Sequence, residues 1–237
     1  MRECQKDHAM NIFIIGSKPD PIFPDVKPDV VFAANGALTH AQAAFETAKI
    51  ISVLSDYVLF GDTPACEGAW TVLKGARCHE LILSQSHWCN PAPEDVAAIS
   101  PVTFDHLSKI RHFEKTTRII KALKRDVLCS QIKRLFKHQP LRFLYLMLFK
   151  QQIDGLKLST GALALSQAMR MYPDAEKYYM FGIGLDAAAA HFYNKAKIYG
   201  AQHVLADGLY YQAILREYGT NKLVFTDPNV KSSLQTE

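Results

Sequence analysis

The chain has 237 residues, 49% of them apolar and 21% charged, with a formal net charge of +4 at pH 7. That balance excludes a disordered or fibrous polypeptide and fits one large domain, or one domain carrying a substantial insertion. The five cysteines (Cys4, Cys66, Cys78, Cys89 and Cys129) are irregularly spaced and include no C-x-x-C pair. They argue against a zinc site or a disulfide framework and for a reducing, cytoplasmic setting.

The polar start MRECQKDHAM, followed by a short apolar run, does not read as a signal peptide. The first run, Asn11–Ile15, is β-branched and stopped by Gly16-Ser17-Lys18-Pro19, as a buried parallel strand should be. Val30–Ala34 is a second such run, ending at Asn35-Gly36. Tyr57–Phe60 is read as the third strand, ending at Gly61-Asp62, and Leu81–Leu83 as the fourth. Ala41–Leu54 and Pro64–Gly75 suit helices between them. The expected fold class is α/β, a Rossmann-like, mostly parallel sheet flanked by helices. Turn formation alone accounts for any one Gly, Ser, Asn or Asp at a strand end. As a set they predict a ligand crevice at the carboxyl ends of the strands.

From Phe104 to Gln152 the sequence becomes basic and helix-forming. Twelve Lys or Arg residues between Leu107 and Lys150 face only Glu114 and Asp126. Ile110, Phe113, Ile120, Leu123, Val127 and Ile132 approximate a helical stripe, and Pro140 breaks the run. The segment 104–152 is therefore read as a basic helical insertion into an α/β domain formed by 1–103 and 153–237. The apolar stretch Leu141–Phe149 is interrupted by Arg142 and too short to cross a bilayer. Cations interleaved with apolar residues over 107–150 suit contact with an anionic inner leaflet, and equally a solvated helical hairpin. Without a recognised binding motif, the patch is not read as a nucleic-acid surface. Beyond it a helix is expected over 160–172, a strand over 178–183, a helix over 207–218 and a strand over 222–226, with a frayed tail after Pro228.

Ser159-Thr160-Gly161 opens an amphipathic pattern with Ala162, Leu165, Met169 and Tyr172 on one face. A hydroxyl there caps the helix. The same helix end, with a glycine that lets a ligand approach, suits a phosphate or carboxylate. Gly16-Ser17-Lys18-Pro19 is neither a P-loop nor a G-x-G-x-x-G fingerprint, which argues against NAD or P-loop chemistry. No Asp-x-Asp pair and no metal-spaced His/Asp/Glu set is present, so no metal is expected. A sugar donor would then be a nucleoside monophosphate sugar. His203, after Gly200-Ala201-Gln202, and His191, near the end of the strand that leads to Gly182, are the histidines best placed for base work near neutral pH.

In this order the residues resemble a known family. LSTGALALSQAM followed by KYYMFGIG resembles the sialyl S motif of sialyltransferases, HFYN resembles their short aromatic motif III, and His203 resembles the histidine of their last motif. IFIIGSKPD and FAANGA resemble the first-strand glycine turn and second-strand asparagine of the bacterial enzymes. The layout is closest to bacterial sialyltransferases acting on lipooligosaccharide, and the likeness runs over nearly the whole chain.

The resemblance implies a GT-A-like sialyltransferase variant of the fold. It implies metal-independent, inverting transfer of a sugar acid, sialic acid or another such as Kdo, from a CMP-sugar donor to a surface-glycan or glycolipid acceptor, with no separate cofactor. Carried over by position, Ser159, Thr160 and Gly161 hold the donor's carboxylate and phosphate. Gly16, Ser17 and Asn35 contact the cytidine monophosphate, with Asp62 and Gly182 in the same binding set. Tyr193 bonds the leaving phosphate, and His203 takes the acceptor's proton. The chain departs from the family at Ser17-Lys18, where an Asn-Gly pair is common, and in having one nearby tyrosine, Tyr193, rather than two. Asp207 also falls one place short of the expected acidic residue. The implied location is cytoplasmic and peripheral on the inner membrane, and a homo-oligomer is left open. The contrasting readings are a catalytically idle nucleotide-binding protein and another Rossmann-type transferase such as a methyltransferase.

Overall fold

The computed structural model describes residues 10–18, 21–61, 64–85, 91–111, 158–185 and 203–228, with scattered positions in 136–144 and after 228. In chain order these form β1 (Asn11–Ile15), β2 (Val30–Ala34), a 3₁₀ turn (Asn35–Ala37), α1 (Leu38–Ala44), β3 (Lys49–Ser55), α2 (Asp56–Phe60), α3 (Pro64–Leu73) and β4 (Ala76–Gln85). They continue through α4 (Pro93–Ile99), β5 (Val102–Arg111), α5 (Thr160–Met171), β6 (Lys177–Phe181), α6 (His203–Tyr218) and β7 (Leu223–Phe225).

Every strand pairs in parallel within one seven-stranded sheet of order β5-β4-β3-β2-β1-β6-β7. The helix-flanked parallel sheet read from the sequence is therefore present. The chain steps outward strand by strand from β1 to β5, then returns to the other side of β1 with β6. The order reverses between β1 and β6, and such a switch point opens a crevice outside the carboxyl ends of the strands.

Alternation along each strand divides the core in two. Ile12, Ile14, Val30, Phe32, Ile51, Val53, Tyr178 and Met180 pack beneath α5 and α6, whose Leu163, Ala164, Tyr210, Tyr211 and Ile214 are fully covered. Phe13, Ile15, Val31, Ile50, Leu54, Leu83 and Phe181 point the other way, onto Leu38 of α1, Leu59 of α2, Leu73 of α3 and Val96 of α4. Near-continuous apolar strands are what a sheet covered on both faces requires. Phe23 pins the β1–β2 connection onto this second face, its ring 5.0 Å from that of Phe45 and 5.2 Å from that of Phe181.

Several expectations are corrected. The third strand is Lys49–Ser55, overlapping the stretch read as a helix over 41–54, and Tyr57–Phe60 belongs to the short helix α2. The Ser55 side chain caps α2 by accepting from the Tyr57 N–H at 3.3 Å. β5 carries the chain as an edge strand to Arg111, so the basic insertion does not begin at 104. Most of the remainder of 104–152 lies outside the described residues. α5 is not a one-sided amphipathic helix: residues 161–168 are all buried, and α5 packs on β1, β2 and β3 in a core that residues of α6 share. The tail after Pro228 is not wholly frayed, since Val230 is buried in the α5–α6 core.

Candidate functional site

Because all strands run the same way, every strand-end turn lies at one edge of the sheet. There the β1 and β6 turns continue the pairing of their strands. The Gly16 N–H donates to the Phe181 carbonyl at 2.8 Å, and the Lys18 N–H to the Gly182 carbonyl at 2.9 Å. The two glycines make this approach possible. A Cβ on Gly16 would stand 2.4 Å from the Gly182 carbonyl oxygen, and one on Gly182 would stand 2.8 Å from that of Gly16. Gly182 also adopts a φ of +55°, which L side chains rarely take. Ser17, buried, donates through Oγ to the Ala34 carbonyl at 3.2 Å, tying the β1 turn to the end of β2.

Asn35 joins three elements. Its Oδ1 accepts from the Ser55 N–H at 3.0 Å, where β3 ends, and its Nδ2 donates to Thr160 Oγ1 at 3.1 Å, where α5 begins. Its φ is +49°, a left-handed backbone that asparagine tolerates better than most residues but that still costs energy. The α5 amino terminus is built in parallel. Ser159 Oγ accepts from the Ala162 N–H at 3.2 Å as the cap. A Cβ on Gly161 would meet the Ile183 side chain at 3.3 Å, so the glycine also lets α5 close onto the β6 turn.

Beneath this cap lies a carboxylate. Asp207, in the second turn of α6 and only 3% exposed, accepts through Oδ1 from the Ser159 N–H at 2.9 Å. Burial pushes its carboxyl up to about 7, against the pull of the Ser159 contacts. Tyr211, one turn further on, is fully buried, and burial holds its phenol well above the usual range, with the neighbouring Asp207 charge acting the same way. At the outer rim Lys18 Nζ meets Asp227 Oδ2 at 3.1 Å, bridging the β1 turn to the residues after β7. Among the described residues no group of three or more His, Cys, Asp and Glu comes together that could hold a metal ion.

Of the residues singled out from the sequence, Gly16, Ser17, Asn35, Ser159, Thr160, Gly161 and Gly182 are brought to this one edge. His203 is the first residue of α6, one turn ahead of Asp207. Asp62, Tyr193 and His191 lie outside the described residues, as does the side chain of His203. Sequence reasoning gave no binding role to Lys18 or Asp227, paired across 209 positions, and did not foresee the contact of Asp207 with Ser159. An acid one turn after a candidate histidine and a lysine in a strand-end turn were the available signals. No described helix is long and apolar enough to cross a membrane. No protein family, curated protein or solved structure matches the chain.

Proposed function

We propose that this chain is a metal-independent, inverting glycosyltransferase of the sialyltransferase type, moving a sugar acid from a CMP-sugar to a glycan or glycolipid acceptor. One observation carries the reading. The β1 turn, Asn35 after β2 and the cap of α5, which resemble that family's donor site, meet at the switch point of a parallel sheet.

In this mechanism the donor lies across the carboxyl edge. Its nucleotide contacts Gly16, Ser17 and Asn35, and its carboxylate and phosphate lie against the α5 amino terminus, where first-turn N–H groups and the helix dipole favour an anion. The acceptor oxygen attacks the anomeric carbon as the bond to the phosphate oxygen breaks. CMP leaves with the electron pair, Tyr193 donates to its phosphate, and His203 removes the acceptor's proton. The basic sequence over 107–150 would serve contact with an anionic acceptor membrane.

The test is transfer from CMP-sialic acid, with CMP-Kdo in parallel, to a panel of glycan acceptors, in EDTA. Transfer that survives EDTA and is lost in His203→Ala, with CMP still raising Tm, supports the reading. CMP binding without transfer to any acceptor indicates an idle nucleotide-binding protein, and stabilisation by S-adenosylmethionine instead of CMP refutes the donor.

A further inference from the structure

Lys18 leaves the β1 turn two residues after Gly16, its backbone fixed on the Gly182 carbonyl at 2.9 Å and its preceding residue on the Ala34 carbonyl. From that anchored base its side chain crosses the end of β6 to Asp227, 3.1 Å away. Both side chains are about one-fifth exposed, 18% and 21%. The pair thus stands on the rim of the crevice, partly open to water, with an ammonium and a carboxylate in direct contact.

We propose that Lys18 is the phosphate receptor of this site, kept in place by Asp227 until the ligand's phosphate takes the carboxylate's position. The proposal rests on the nucleotide reading above for the identity of the phosphate, which is that of a nucleoside monophosphate.

Three physical points support it. A solvent-touched ion pair contributes little to stability, so exchanging its anion costs little. A lysine ammonium on a four-carbon stem carries three donors and can turn from one oxygen to another without moving its backbone. A phosphate held without a metal must have its charge met by protein groups, and an ammonium adds a charge-assisted bond that the helix end alone does not supply. Asp227 then has a second effect: with the crevice empty it neutralises Lys18, and with phosphate bound it competes for the ammonium.

This gives the two halves of the pair opposite signs. By calorimetry in low salt, with CMP, cytidine and inorganic pyrophosphate as probes, Lys18→Met should bind CMP about tenfold or more weakly while cytidine is unaffected. Asp227→Asn should bind CMP severalfold more tightly, and Lys18→Arg should stay near wild type. Tm values near wild type establish that the variants are folded. If Lys18→Met and Asp227→Asn weaken CMP alike, the pair is merely structural and the inference is overturned. It is also overturned if wild type binds both CMP and cytidine, and equally tightly, which leaves the nucleotide reading standing. Pyrophosphate binding that depends on Lys18, without CMP binding, upholds the receptor and refutes the nucleotide. Binding of neither anion overturns the receptor.

Discussion

Asp207 and Asp227 stand at the same end of the sheet, yet their surroundings give them opposite characters. Asp207 is 3% exposed and among the described residues is met by the Ser159 N–H and hydroxyl, and burial lifts its carboxyl to about 7. Asp227 is partly in water and faces an ammonium at 3.1 Å. One region is a floor of tightly fitted groups, including the Gly16–Gly182 contact and the half-buried Asn35 bridge; the other is a rim where an ion pair is reached by water. For a buried carboxylate, desolvation outweighs hydrogen bonds that would favour its charge. The comparison teaches that a carboxylate's character at this edge is set by how far water and a cation reach it.

The sharpest way to break the floor is Gly16→Val. Its Cβ would fall 2.4 Å from a backbone oxygen that has nowhere to go, so a loss of about 4 kcal/mol or more is expected in urea denaturation, or no folded protein at all. A variant with wild-type stability would mean the β1 and β6 turns are not locked together.

Next in size is the pH response of Asp207. The folded chain keeps its proton up to about pH 7, whereas the unfolded chain releases it near 4. The folded state therefore binds more protons between those values, and stability falls as pH rises through that window, by roughly 4 kcal/mol at most. Asp207→Asn retains an acceptor for the Ser159 N–H without a charge to bury. Its unfolding free energy, measured from pH 5 to 8, should lose this part of the slope and exceed wild type above pH 7. Parallel curves for the two proteins would show that Asp207 is not held protonated.

Asn35 follows. Asn35→Ala loses the bonds to Ser55 and Thr160 and puts an alanine at a φ of +49°, for a cost of about 2–3 kcal/mol. Asn35→Gly should lose less, because only the bonds go. Equal losses would remove backbone conformation from the account. On the rim, Lys18→Met should change stability by less than about 1 kcal/mol, so a large drop in Tm would mean that the rim is as structural as the floor.

The sequence was readable where chemistry is local. β1, β2, β6 and β7 stand out as short apolar runs closed by turn residues, β4 does so only over Leu81–Leu83 of Ala76–Gln85, and Ser159 is legible as a cap. β3 was hidden because Ile50-Ile51-Ser52-Val53-Leu54 follows an alanine-rich helix with no Gly or Pro between them. Tyr57–Phe60 misled because aromatic and β-branched composition over a few residues fits either strand or helix, although Ser55-Asp56 is a helix-start signal. β5 alternates apolar and polar only from Val102 to Asp105, and its Lys109 and Arg111 merge with the basic helix-forming run that follows. At the site, Gly16 and Asn35 were visible as strand ends. Neither the partner of Asp207, 48 residues away, nor that of Lys18 is written in any local pattern; each exists only once the sheet order is set.

That order also bears on how the protein comes to exist. β1 through β5 are laid down consecutively, each beside the last, so the first half of the sheet can zip up as it is made. β1 nevertheless waits for β6, more than 160 residues later, with Ile12 to Ile15 along an open edge that is fully covered in the finished protein. Pairing over such distances is slow, and a bare apolar edge invites other chains. Closing that seam is the step that joins Gly16 to Gly182. The crevice and the protection of the chain against aggregation are thus completed together, by the last third of the polypeptide to emerge.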